Sequence, residues 1–126
     1  MNVLVVDDNE IVADSLALLL ECYGHRAVVA YDGDTALKLL RTGAFELTFL
    51  DESLPGIKGS AVALSLKESP VRPGPFVVSM TGDADSQEDV VRLFDVCLEK
   101  PFSSEALMQV IEDARCSSDA NTRQAA

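Results

Sequence analysis

The sequence predicts an α/β domain built on a parallel five-stranded sheet with helices on both faces. Three observations carry this. Five short apolar runs alternate with segments of helical periodicity. The first run is apolar at every position, as expected of a strand buried on both faces. The length of 126 residues suits one domain, and a hydrophobic content of 48% supplies its core.

Val3-Leu4-Val5-Val6 opens the pattern as the first strand. From Glu10 to Tyr23 the spacing of Val12, Leu16, Leu19 and Tyr23 predicts a helix, ended by Gly24. Ala27-Val28-Val29-Ala30 is the second strand, closed by the turn signal Asp32-Gly33. Thr35 to Arg41 forms a short helix with Leu37 and Leu40 inward, and Leu47-Thr48-Phe49-Leu50 a third strand. After the break at Pro55-Gly56, Ser60 to Lys67 reads as a helix. Ser69 to Pro75 holds three of the five prolines and must be an extended loop. Phe76 to Met80 is the fourth strand, Gln87 to Phe94 a weakly patterned helix, and Val96-Cys97-Leu98 the fifth strand. Ser104 to Arg115 is the last helix, with Ser103 as N-cap and Leu107, Val110 and Ile111 inward. Residues 1–115 are thus expected to form the domain and 116–126 a polar, flexible tail. Strand order stays open between a flavodoxin-like and a half-Rossmann arrangement.

Composition excludes several functions. With 10 Lys+Arg against 21 Asp+Glu the formal charge is -11, which disfavours nucleic acid and anionic membranes as partners. No apolar run approaches the ~18–20 residues of a membrane span. The first strand begins almost at Met1, leaving no room for a signal peptide. Cys22, Cys97 and Cys116 form no CxxC pattern and His25 stands alone, so neither a disulfide frame nor a zinc site is expected. The cysteines read as small buried residues with free thiols in a reducing cytosol.

Ligands of open α/β sheets bind beyond the carboxyl ends of the strands. There the first strand runs into Asp7-Asp8, the third into Asp51, the fourth into Thr81 and the fifth into Lys100. Taken singly these are bland. Asp7 and Asp8 read as helix caps, Asp51 as a turn former, Thr81 as part of a turn and Lys100 as a surface lysine. Gathered at one edge they form a site. Three carboxylates repel by ~1–4 kcal/mol per pair at a few ångströms, and one ammonium does not offset that. A hard divalent cation with oxygen ligands does, and Mg2+ suits a small open carboxylate site that adds a phosphate oxygen. One carboxylate then serves as nucleophile towards phosphorus, with Thr81 and Lys100 on the other phosphoryl oxygens.

The stretches VLVVDDNE (Val3–Glu10), FLDESLPGIKG (Phe49–Gly59), SMTG (Ser79–Gly82) and EKPF (Glu99–Phe102) resemble the receiver domains of two-component response regulators, from Asn2 to about Ala114. The resemblance implies a flavodoxin-like (βα)5 three-layer sandwich with strand order 2-1-3-4-5. It implies that Asp51 accepts a phosphoryl group from the phosphohistidine of a sensor histidine kinase or histidine phosphotransfer protein. Asp8 would ligate Mg2+ directly and Asp7 mainly through water, with Asp51 and the backbone carbonyl of Ser53 completing the protein ligands. Thr81 and Lys100 would hold the phosphoryl group. The Lys100–Pro101 peptide would be cis, and Ser53 and Asp83 would tune the phosphoryl lifetime. Two departures stand out. Cys97 occupies a place where many members carry Tyr or Phe, and the interval from Thr81 to Lys100 is short. The segment Leu93–Phe102 is similar to receivers of hybrid sensor kinases.

The reading is therefore a cytoplasmic phosphoacceptor module that catalyses its own phosphorylation and is not a stand-alone enzyme. It is expected as a monomer or weak dimer. The alternative is a Mg2+-dependent phosphatase passing through an aspartyl-phosphate. Such enzymes usually carry Asp-x-Asp on the first strand, whereas Asp7 and Asp8 are adjacent and no cap domain is present. A flavin module would need a hydroxyl-rich phosphate loop where Asp7-Asp8 stand, and aromatics beyond the 6% found.

Overall fold

The computed structural model describes residues 1–42, 44–54, 56–68, 75–81, 94–100 and 102–125, with Thr81 and residues 117–125 described by backbone alone. The elements are β1 (Asn2–Val6), α1 (Glu10–Cys22), β2 (Arg26–Ala30), α2 (Gly33–Leu40), β3 (Leu47–Asp51), α3 (Gly59–Glu68), β4 (Phe76–Thr81), β5 (Val96–Glu99) and α4 (Ser104–Ala125). The expected Gln87–Phe94 helix, apart from Phe94 itself, and most of the proline-rich loop fall outside the described residues.

All strand pairs are parallel, and the order is β2-β1-β3-β4-β5. This is the flavodoxin-like order that the resemblance implies. Parallel neighbours require a crossover between them, so helices must cover both faces. Odd residues of β1 and β3, Val3, Val5 and Phe49, pack with α1 and α4. Even residues, Leu4, Val6 and Leu50, pack with α2 and α3. Val3 to Val6 are each 0% exposed, which explains the unbroken apolar run. Full burial of each such side chain contributes roughly 2 kcal/mol.

Helix ends are decided by local chemistry. Asn9 caps α1, its side chain accepting from the N–H groups of Ile11 and Val12. Gly24 (φ 91°) turns the chain after α1, a left-handed conformation that only glycine adopts freely. Asp32 caps α2 through the Thr35 N–H at 2.7 Å, so that helix starts at Gly33 and not at Thr35. The Ser103 hydroxyl accepts from the Ala106 N–H at 3.1 Å, as the sequence suggested.

Three expectations are corrected. The buried stripe of α1 is Ala13, Leu16, Ala17 and Leu20, while Tyr23 is 40% exposed. Two alanines let this helix sit close to the sheet, and their weak apolar signal hid the stripe. All three cysteines, Cys22, Cys97 and Cys116, are exposed instead of buried. Cys97 lies on the edge strand β5, where Leu98 turns to the core and its neighbours do not. α4 does not stop at Arg115 but continues to Ala125, across a segment without Gly or Pro to end it.

Thr48 is fully buried and pairs with Leu4 and Val77, yet its hydroxyl has no hydrogen-bond partner among the described residues. An unpaired buried hydroxyl costs about 1–3 kcal/mol, and valine has nearly the same shape. Thr48→Val is expected to raise stability by about 1 kcal/mol. Urea denaturation checks this, and an unchanged or lower midpoint counts against it.

Candidate functional site

The charged residues meet where the strands end. Asp7 follows β1, and its N–H bonds to the Ala30 carbonyl at 3.1 Å, continuing the ladder one step beyond the strand. Its carboxylate is 1% exposed. One oxygen accepts from the Asn9 N–H at 2.9 Å, and the other accepts from the Lys100 ammonium at 2.7 Å. Asp51 is the last residue of β3 and 6% exposed. It accepts from the Ser53 N–H at 3.2 Å and lies 3.5 Å from the Lys100 ammonium. Asp8 is exposed, and Asp7, Asp8 and Asp51 each offer an oxygen within 4.8 Å of the others.

The bland alternatives are answered in part. Neither Asp7 nor Asp8 caps α1, because Asn9 does so. The adjacent aspartates are thereby left for other work. Asp51 does form the turn-type bond to Ser53, but that bond occupies one oxygen only. Thr81 ends β4 opposite Glu99, the residue before Lys100, so its backbone stands at the same edge. Its side chain, Asp83 and Pro101 lie outside the described residues, and with them the cis-peptide expectation.

The titration of the cluster is set by this geometry. Burial pushes the Asp51 carboxyl above its ordinary value, and the Asp7 charge adds to the rise; the Ser53 hydrogen bond and Lys100 oppose it. Burial alone would lower Lys100, but the Asp7 hydrogen bond and the charges of Asp51 and Asp7 outweigh it and raise its pKa. Lys100 therefore stays protonated. Among the described residues three carboxylates gather here and one ammonium pairs with two of them, an excess of negative charge that a hard cation would neutralise.

Sequence reasoning missed Glu52. It comes directly after Asp51, its N–H bonds to the Met80 carbonyl at 3.2 Å, and its Oε2 is buried without a partner among the described residues. Partial burial and then the nearby Glu52 charge raise the pKa of Cys97. A carboxylate beside a buried strand end was the available signal.

Residues 3–112 match the profile of the response regulator receiver domain. The chain belongs to that family. As a receiver domain of two-component signalling it has relatives in several settings, and the phosphatase alternative gains no support over this reading. It is 29% identical over 109 residues to the transcriptional regulatory protein DltR of Streptococcus agalactiae, covering 86% of this chain and 49% of DltR. It is 32% identical over 123 residues to the virulence sensor protein BvgS of Bordetella pertussis, covering 90% of this chain and 10% of BvgS. The receiver thus spans about half of the one relative and a tenth of the other. A CheY-like receiver domain from Methylobacillus flagellatus superposes with a TM-score of 0.84 at 28% identity, covering 90% of this chain and 98% of that one. Among the described residues no helix is long and apolar enough to cross a membrane.

The raised Asp51 pKa has a consequence for stability. Above the ordinary carboxylate value of 3.8, the folded receiver holds the Asp51 proton more readily than the unfolded chain does. Stability contributed at this site therefore falls as pH rises from that value through the raised folded one. Above both values, ionised Asp51 destabilises the metal-free protein. Asp51→Asn is expected to raise the neutral-pH melting temperature without Mg2+, by about 3–6 °C if the effect reaches about 1 kcal/mol. The gain should shrink below the ordinary carboxylate pKa. Melting curves across pH check this, and a lower melting temperature at neutral pH would falsify it.

Proposed function

We propose that this receiver domain accepts a phosphoryl group on Asp51 from the phosphohistidine of a histidine kinase or histidine phosphotransfer protein. The observation that carries the reading is the gathering of Asp7, Asp8 and Asp51 within 4.8 Å around Lys100. An Asp51 oxygen forms the new P–O bond as the P–N bond of the phosphohistidine breaks. The imidazole leaves with that electron pair and takes up a proton. Lys100, held protonated by its two carboxylate neighbours, stands ready to pair with a phosphoryl oxygen. Thr81, at the end of the adjacent strand, holds another.

The donor set fits Mg2+: hard carboxylate oxygens within 4.8 Å of one another, with Asp51 buried and Asp8 open to solvent. Asp8 and Asp51 would bind it directly with the Ser53 backbone carbonyl, and Asp7 through water. Mg2+ supplies positive charge against the phosphoryl oxygens when bound. The domain works in the cytosol and acts by changed affinity for other chains. It catalyses only its own phosphorylation and dephosphorylation, and it exists as a monomer or weak dimer. DltR is a transcriptional regulator and BvgS a sensor protein. A place within a hybrid sensor kinase accords with the second.

Two experiments test this. With acetyl phosphate and Mg2+, intact-mass measurement is expected to show one added phosphoryl group that disappears in Asp51→Asn. A folded wild type that gains no mass would overturn the reading. Mg2+ alone should raise the melting temperature by mass action, worth about 2.7 kcal/mol at a hundredfold excess over Kd. Asp8→Ala should abolish most of that shift, and an undiminished shift removes Asp8 from the ligand set.

A further inference from the structure

The connection from Asp51 to α3 carries Ser53 and is gripped at both ends by glycines. A Cβ placed on Gly59, the first residue of α3, would lie 2.5 Å from the Asp51 carbonyl oxygen, 3.1 Å from its carbon and 3.2 Å from the Glu52 Cα. A Cβ on Gly33, the first residue of α2, would lie 2.7 Å from the Ile57 carbonyl oxygen and 2.8 Å from its Cβ. Neither glycine has positive φ, unlike Gly24 and Gly56, where an added Cβ would meet no atom of the described residues within 4 Å. Gly33 and Gly59 are therefore required for space and not for conformation.

We propose that Gly59 and Gly33 are positioning residues for the acceptor site, Gly59 acting on the Asp51 backbone and Gly33 acting through Ile57. This rests on the phosphoacceptor reading above. Gly59 would meet backbone atoms alone, and Gly33 the carbonyl oxygen and Cβ of Ile57, neither of which a side-chain rotation moves away from an added methyl. β3 is bonded on both sides and Glu52 N–H is tied to Met80, so the strand yields little. Displacement passes into residues 52–54 and 56–58, and with it into the Ser53 N–H bond to Asp51. α2, which gives no charged group to the cluster, thereby controls it at one remove.

The test uses the full chain with Gly59→Ala, Gly33→Ala and, as a control for lost stability alone, Val110→Ala in the opposite core layer. Mg2+ affinity is measured by titration calorimetry, and the Glu52 and Ser53 amide shifts by NMR without metal, both below each variant's melting temperature. Both glycine variants are expected to move those amides and to weaken Mg2+ binding by about tenfold or more, as loss of supporting contacts around a metal site commonly does. Val110→Ala should leave both unchanged. Wild-type affinity and shifts in a folded Gly59→Ala would overturn the proposal, as would an equal loss in Val110→Ala. Should Gly59→Ala not fold, Gly33→Ala and Ile57→Ala, which loosens the same contact, decide by the same readouts. A wild type without Mg2+ affinity would instead sink the receiver-site reading, and the amide shifts alone then judge the positioning role.

Discussion

An ammonium 2.7 Å from a carboxylate that is almost wholly buried makes the rest of this arrangement tolerable. Asp7 sits at the end of a strand covered on both faces, where an unpaired charge would be costly. Lys100 relieves it from the far edge of the sheet, beyond β3 and β4. The same ammonium reaches Asp51 less closely, so its charge is shared unequally. Asp51 keeps a raised pKa, first because it is buried and then because the Asp7 charge lies close, and Lys100 offsets this only in part. On the proposed reading of Asp51 as phosphoacceptor, a carboxylate only partly offset by its neighbours is the one that gains most when positive charge and phosphate arrive together.

Topology makes the meeting possible. β1 and β3 are adjacent only because the chain crosses over after β2, and β5 lies beyond β4 on the same side. Residues separated by 93 positions, Asp7 and Lys100, are thus brought into hydrogen-bond contact. Helices α1 and α4 on one face and α2 and α3 on the other hold the sheet in register while leaving its carboxyl edge open. The cap at Asn9 belongs to the same arrangement, since it satisfies the start of α1 without using either aspartate.

Much of this is legible in the sequence itself. Unbroken apolar runs mark parallel strands, and the polar residues just past the end of each run include Asp7, Asp8, Asp51 and Lys100. The parts that stayed hidden have physical reasons. The sheet-facing stripe of α1 contains alanines, whose burial leaves almost no trace in a hydrophobic pattern. In the sequence Asp7-Asp8-Asn9 any member could cap a helix, and only backbone geometry chooses Asn9. The exposure of Cys97 depends on β5 being an edge strand, which is a property of strand order. Glycines used for room look the same in sequence as Gly24 and Gly56, which are used for their backbone angles.

The sheet also assigns unequal mechanical freedom to the two signs of charge. Asp7 and Asp51 extend from strands that are laddered on both sides. Lys100 extends from a four-residue strand paired along one side only. Its side chain is longer and a quarter exposed. The anionic half of the site is thus the stiff half and the cationic half the compliant one.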